Sequence, residues 1–286
     1  MTPRTKEKQN AALAGHDGFS LITDEKLIQL YTTMLKCRRL QERARTLGAE
    51  VNDGCDTITT GQEAIAAGVA IDLQPEDTIA CSSREVIFEL VHGEPLEKIL
   101  ASRLGSNAHM EYSAQFNFAI EAAQANKGAK NGKIAVVVVD ERSLPPGIWQ
   151  QMLTQAGSLQ LPILFVCPVT GGGDEENTRR AEASGFPGIA VDGSDVVAVY
   201  RVATEAITHA RKGNGATLIE CKLEGSKASD PLLKMEAYLS RKGLYRTAIK
   251  QEAESRFDRE LNAALATASA GRLPRSSKAV AGKRNS

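Results

Sequence analysis

Aromatic residues are scarce in this sequence, 5% of 286 positions, which argues against a stacking surface for nucleic-acid bases. An excess of either charge is missing too. Lys plus Arg and Asp plus Glu both number 35, so nothing pulls the whole chain toward a phosphate backbone or a membrane. A neutral protein tends to associate, which favours a subunit over a free monomer. The five cysteines (Cys37, Cys55, Cys81, Cys167, Cys221) are odd in number and scattered, with no metal-knuckle or redox spacing. Cys81, Cys167 and Cys221 end or follow apolar runs, the expected setting of buried thiols in a reducing cytoplasm. No apolar run has membrane-spanning length. Residues 1–15 lack the apolar region of an export signal, so a cytoplasmic protein is expected. No internal repeat is evident.

What the chain does have is concentrated between Lys133 and Thr170. Ile134-Ala135-Val136-Val137-Val138-Val139 is an unbroken apolar run that stops at Asp140. A polar turn and Pro145-Pro146-Gly147 follow. Ile148, Trp149, Met152, Leu153 and Ala156 then recur at helical spacing, and Leu161-Pro162 leads into Ile163-Leu164-Phe165-Val166-Cys167. Apolar, β-branched runs without polar alternation mark strands buried on both faces. Two of them joined by a helix read as a βαβ unit with a parallel sheet. Ligands of open parallel sheets sit beyond the carboxyl ends of the strands. Asp140 and Pro168 to Gly173 are therefore where a site belongs.

Similar patterns flank this unit. Residues 1–20 are polar and small and are expected to be disordered. Thr23 with Asp24 and Glu25 caps a long helix, and Arg38, Arg39, Arg43 and Arg45 fall toward its end, where cations suit the helix dipole. Ala66, Ala67 and Gly68 give a small-residue helix that allows close packing. Short strands are expected at Thr78–Cys81, Phe186–Asp192 and Thr217–Cys221, and helices at Val86–Val91, Leu96–Leu100, Phe116–Ala125, Val196–Lys212 and across Lys234–Ala270. Gly171-Gly172-Gly173 reads as a flexible connection. The tail 271–286 is basic and is expected to be disordered. Strands alternating with helices make residues 21–270 one α/β domain, with a mostly parallel sheet and helices on both faces.

Several of these stretches together resemble the alpha subunit of the thiamine-diphosphate-dependent dehydrogenase component of 2-oxo acid dehydrogenase complexes, of pyruvate, branched-chain and acetoin type. The resemblance is colinear from about Leu27 to Ala266. It is carried by Gly61-Gln62-Glu63-Ala64, by Asp77-Thr78-Ile79 with Arg84-Glu85, and by Leu161-Pro162 and its strand. It is strongest over Phe186 to Glu220, with Asp192, Asp195, Arg211 and Thr217-Leu218-Ile219-Glu220, and Ser229-Asp230-Pro231 adds a short motif. The resemblance implies a thiamine-diphosphate-binding fold, magnesium as the bridge to the diphosphate, a beta-subunit-like partner or a homodimer, and an oxidoreductase acting on 2-oxo acids with a lipoyl acceptor. The chemistry in such enzymes is largely the cofactor's, and magnesium wants a near-octahedral shell of oxygens.

The site motifs depart from that pattern. The family's Gly-Asp-Gly is Val139-Asp140-Glu141, so Asp140 takes the metal aspartate's place without flanking glycines and beside a second carboxylate. The family's Asn-Asn-x-Tyr falls on Val169, Thr170, Gly171 and Gly172, which leaves Thr170 as the one side-chain oxygen. The Tyr-Arg pair that meets the diphosphate is Ser83-Arg84. The active-site loop is shortened to Lys222–Ala228 and has no histidine, and the segment between His109 and the central strand is also shorter. Candidate cofactor-binding residues are thus Arg84, Asp140 and Thr170, with Asp140 as the metal ligand and His109 as the only candidate catalytic group. Each has a plainer reading. Asp140 also suits a strand-end turn carboxylate, Arg84 a surface ion pair, and His109 a solvated loop histidine. Gln62 and Glu63 sit at a helix start and suit packing. The expected function is a non-catalytic or weakly active alpha-like partner of a beta-like subunit. The alternatives are a working decarboxylase with unusual ligands and a small-molecule binding protein anchored on an anion by Arg84.

Overall fold

A computed structural model describes residues 22–51, 61–81, 86–104, 112–139, 144, 147–170, 176–224 and 229–270. In chain order these give α1 (Asp24–Val51), α2 (Glu63–Ala70), β1 (Thr78–Cys81), α3 (Val86–His92), α4 (Leu96–Leu104), α5 (Tyr112–Ala129) and β2 (Ala135–Val138). Then follow α6 (Ile148–Ser158), β3 (Ile163–Thr170), α7 (Glu176–Ala183), β4 (Gly188–Asp192), α8 (Val196–Arg211), β5 (Thr217–Leu223), α9 (Pro231–Arg241) and α10 (Thr247–Ala270).

Among the described residues the strands form one sheet in the order β1-β2-β3-β5-β4, and every neighbouring pair is parallel. The unbroken apolar runs explain the two central strands. Successive side chains point to opposite faces, and both faces are covered. Ala135, Val137 and Val139 of the β2 segment join Ile163, Phe165 and Cys167 of β3 in one core cluster, under Phe116 and Ala119 of α5 and Trp149, Leu153 and Ala156 of α6. Val136, Val138, Leu164 and Val166 face the other way, under Ile65 and Ala66 of α2, Phe88 of α3 and Val199 and Ala203 of α8. Two further clusters bind the periphery. One joins α1 to α9 through Leu30, Met34, Met235 and Leu239. The other joins α4 to α10 through Ile99, Leu100, Phe257 and Leu261.

Local signals set most boundaries. Thr23 Oγ1 accepts from the Lys26 amide at 3.2 Å. Asp195 caps α8 by accepting from the amides of Val197 and Ala198 at 3.0 and 3.1 Å. Gly68 is required by space. A Cβ there would lie 2.8 Å from Val199 Cγ1 and 3.0 Å from the Tyr200 amide nitrogen, so α2 and α8 cross in close contact.

Expectation and structure differ in three places. The arginines of α1 do not serve its dipole: the helix runs on to Val51, and Arg38 and Arg39 pair across elements instead. The stretch across Lys234–Ala270 is largely helical as expected, in two helices parted by a turn at which Gly243 takes φ 71°. The Phe116 helix begins at Tyr112 and ends at Ala129. Helix α7 carries no apolar periodicity and was not anticipated by pattern. Segments 1–20 and 271–286, expected to be disordered, lie outside the described residues.

Candidate functional site

The carboxyl ends of β1, β2 and β3 lie side by side along the sheet. The chain leaves β1 for α3, whose Ile87 and Phe88 join the second core cluster, and leaves β2 for α6 in the first. The outgoing connections of two adjacent parallel strands therefore diverge to opposite faces, the arrangement that opens a ligand crevice. In sequence, Arg84 follows the end of β1 and Asp140 the end of the β2 segment. Thr170 closes β3, the next strand along. Arg84, Asp140 and His109 themselves lie outside the described residues, as do Gly171 to Gly173 and Cys55. Thr170 is exposed and pairs in register with Leu223 of β5.

Around Val139 the described residues are apolar. Val139 is 1% exposed, and its amide is spent on the Val166 carbonyl at 3.0 Å. Its side chain lies in the same cluster as Leu144 and Trp149, with Ile148 and Val169 packed against them. Val139 therefore offers neither a free backbone donor nor the close approach that a glycine gives a diphosphate. Among the described residues no three His, Cys, Asp or Glu side chains gather, and Thr170 offers a single neutral oxygen. The described residues at these strand ends supply one side-chain oxygen toward a magnesium diphosphate, that of Thr170.

Other quoted motifs proved structural, and their partners explain why. Glu63 is fully buried. It accepts from Arg38 Nε at 2.5 Å and from the Gly61 amide at 3.0 Å. Gly61 sits at φ 101°, a turn that favours glycine. The Arg38 guanidinium also reaches both oxygens of Asp230 at 3.2 Å. Burial by itself would lower the Arg38 pKa. The hydrogen bonds to Glu63 and Asp230 outweigh it and hold the guanidinium above its usual range. Burial likewise would raise Asp230, but Arg38 and the amides of Leu232 and Leu233 keep it below the usual carboxylate range. Arg38 thus joins the Gly61-Gln62-Glu63-Ala64 and Ser229-Asp230-Pro231 motifs. Sequence reading missed this role, because a helical arginine gives no sign of which distant carboxylates it meets.

Glu220 is the second residue whose role the sequence did not disclose. It is 1% exposed within β5 and accepts from the amides of Asn177 and Thr178 at 3.1 and 3.4 Å. Asn177 Oδ1 in turn accepts from Trp149 Nε1 at 2.9 Å. A carboxylate in the core of the sheet therefore caps α7 and ties it to α6. Asp192, at the end of β4, bonds Ser194 and Lys234 Nζ, each at 2.6 Å. Cys81, Cys167 and Cys221 are buried free thiols as expected, and Cys37 is buried as well. Burial pushes Cys37 and Cys221 well above the ordinary thiol range, so neither is a nucleophile. No helix among the described residues is long and apolar enough to cross a membrane.

Comparison with known proteins agrees with this architecture. The model of a family described as dehydrogenase E1 component matches residues 31–223. The chain is 28% identical to the alpha subunit of an acetoin:2,6-dichlorophenolindophenol oxidoreductase of Bacillus subtilis, over 73% of this chain and 72% of that one. It is 27% identical to a pyruvate dehydrogenase E1 component subunit alpha of Staphylococcus aureus, over 90% of this chain and 82% of that one. A 2-oxoisovalerate dehydrogenase subunit alpha of Bacillus subtilis is also 27% identical, over 80% and 86%. Among solved structures, transketolase from Campylobacter jejuni aligns at a TM-score of 0.50 with 17% identity, over 86% of this chain. This chain spans 48% of the transketolase chain, and the likeness is one of fold.

Proposed function

The chain belongs to the dehydrogenase E1 component family, and within it we propose an alpha-subunit-like protein without turnover of its own that pairs with a beta-like subunit. In working relatives thiamine diphosphate supplies the carbanion chemistry. This chain's share of such a site would be to hold the diphosphate and its magnesium. The observation that carries the reading is the apolar closure around Val139, Leu144, Ile148 and Val169, at the strand ends where polar donors are needed. The chain keeps the scaffold motifs instead: Glu63 with Arg38, Asp77 with Arg211, Glu220 with α7. Those contacts hold the fold and supply no reacting group.

Calorimetric titration of thiamine diphosphate with magnesium, into the chain alone and into its complex with a beta-like partner, tests the reading. No saturable binding at the Val139 edge is expected. Trp149 is the only tryptophan in the chain and packs beside Val139 in the same cluster, so its emission gives a second readout and should not change.

A second reading keeps catalysis. It is favoured by β1, β2 and β3 lying side by side, because Arg84, Asp140 and Thr170 follow or close those strands in sequence. It requires 2-oxo acid decarboxylation with a beta subunit, abolished by Asp140→Ala. No turnover with any beta partner removes it.

A further inference from the structure

Strand β4 ends the sheet. It pairs with β5 alone, in the register Gly188↔Leu218 to Asp192↔Lys222, and no strand among the described residues lies on its other side. The Leu218 amide donates to the Pro187 carbonyl at 2.9 Å, and the Gly193 amide donates to the Lys222 carbonyl at 2.8 Å. Backbone groups alternate along a parallel strand, so Ile189 and Val191 turn theirs to β5 and Gly188, Ala190 and Asp192 turn theirs outward. The Asp192 carbonyl accepts from the Asp195 amide at 3.1 Å. The backbone groups of Gly188 and Ala190 bond nothing among the described residues. Gly188 is half-buried although it has no side chain, so its exposed surface is backbone. A Cβ on it would meet the Thr178 backbone at 2.5 Å, which closes the α7 face and leaves the open side of the strand.

Edge strands are commonly blunted by a lysine, a proline or a bulge within the strand. Gly188-Ile189-Ala190-Val191-Asp192 holds no lysine and no proline, and its register with β5 has no bulge. The strand is also self-complementary. Set antiparallel to a second copy about a two-fold axis at Ala190, it places Ile189 opposite Val191 and Gly188 opposite Asp192. The two Ala190 residues then exchange amide–carbonyl bonds, and each Asp192 amide donates to a Gly188 carbonyl. Ile189 and Val191 share the face on which Val191 packs under α8. Over the other face α7 exposes Glu176, Arg179 and Glu182, so two copies meeting here bring both signs of charge and not one.

We propose that β4 is a self-association edge, at which a second copy of this chain adds its own β4 antiparallel and continues the two sheets into one. The zero net charge of the chain sets no overall repulsion against it. Whether thiamine diphosphate binds does not bear on it, since β4 carries none of the candidate cofactor residues.

Sedimentation of the full chain from about 1 to 100 µM tests the assignment. Twice the chain mass is expected at the upper end. Ala190→Pro removes the outward amide and leaves the ladder to β5 whole, as edge prolines do. It should weaken the dimer by at least about tenfold with the circular dichroism of the wild type. Should it fail to fold, Ala190→Cys carries the test. The α-carbons of a hydrogen-bonded antiparallel pair lie about 5.5 Å apart, within reach of a disulfide, so this variant should cross-link to a dimer under oxidised glutathione where the wild type does not. A wild-type chain of single mass throughout, a proline variant that dimerises like the wild type, or no cross-link beyond that of the wild type overturns the proposal and leaves the edge to water or to another occupant.

Discussion

Arg211, at the end of α8, donates to Asp77, 134 positions earlier and just before β1, through both terminal nitrogens at 3.0 and 2.5 Å. Asp77 has no exposed side-chain surface. It also accepts from the amides of Gln74 and Ile134 at 2.8 and 3.0 Å. One carboxylate therefore joins the start of β1, the entry to β2 and the C-terminus of α8. The same guanidinium bonds the Gly132 carbonyl at 3.0 Å, the turn that leads into the central strand.

Arg211→Met leaves that carboxylate buried with half its donors. The expected loss is about 3 kcal/mol of unfolding free energy, the usual cost of breaking a buried pair from one side. Asp77→Ala with Arg211→Met should cost less than the sum of the two single changes, because each already removes the other's partner. Urea unfolding of the three variants measures it. Additive losses would mean that the pair is not coupled.

Gly68 offers a test whose sign is informative. Alanine is the better helix former by about 1 kcal/mol in an open helix. Here the added Cβ would strike Val199 and the backbone at Tyr200. Gly68→Ala should therefore destabilise, by about 1–3 kcal/mol. Adding Val199→Ala should recover part of the loss. A stabilised Gly68→Ala would show that α2 and α8 do not approach so closely.

These two cases mark what the sequence made legible. Val136 to Val139 and Ile163 to Cys167 announced two-sided burial by composition alone, and both central strands lie where they were expected. The small residues of α2 announced a close crossing, though not the partner Val199. Helix α7 was invisible because Glu176, Arg179, Arg180 and Glu182 give it no apolar stripe. Only Asn177, Thr178 and Ala181 are buried, and its start is capped by Glu220 from another strand. The insertion of β5 between β3 and β4 was also invisible, since strand order is a property of crossovers and not of the strands' own residues. Of the site, Thr170 closes β3 three residues beyond Cys167, where the apolar run ends. The apolar environment of Val139 was legible as a missing glycine, and its packing partners were not.

Glu220→Ala should release the amides of Asn177 and Thr178 and leave two buried donors unpaired. The expected cost is about 2–4 kcal/mol, from the general penalties for unsatisfied groups and lost caps. A red shift of the Trp149 emission should accompany it, because Asn177 Oδ1 holds the indole. Glu220→Gln keeps one acceptor and should recover much of the stability. Equal losses for both variants would point to packing instead of hydrogen bonding.

The acid limb of stability should follow Asp230 and Asp192. Both carboxyls are held below their ordinary range in the fold. Burial opposes this, and the bonds to Arg38 and to Lys234 with Ser194 prevail. A depressed folded pKa contributes stability that is present above the unfolded value of about 3.9 and lost as pH falls through the folded one. Melting temperature should therefore be level from neutral pH down to about 5 and fall below about 4. Asp230→Asn should melt lower at neutral pH and show a shallower fall in acid. An acid limb as steep as that of the wild type would exclude Asp230 as a contributor.

The central claim is that the edge beside Val139 cannot hold the cofactor typical of working relatives. Titrating thiamine diphosphate with magnesium into the chain, paired with a beta-like subunit, tests it most directly, with Asp140→Ala in parallel. The expected result is the same negligible heat from both proteins. Micromolar binding that Asp140→Ala abolishes would contradict it and restore a working site.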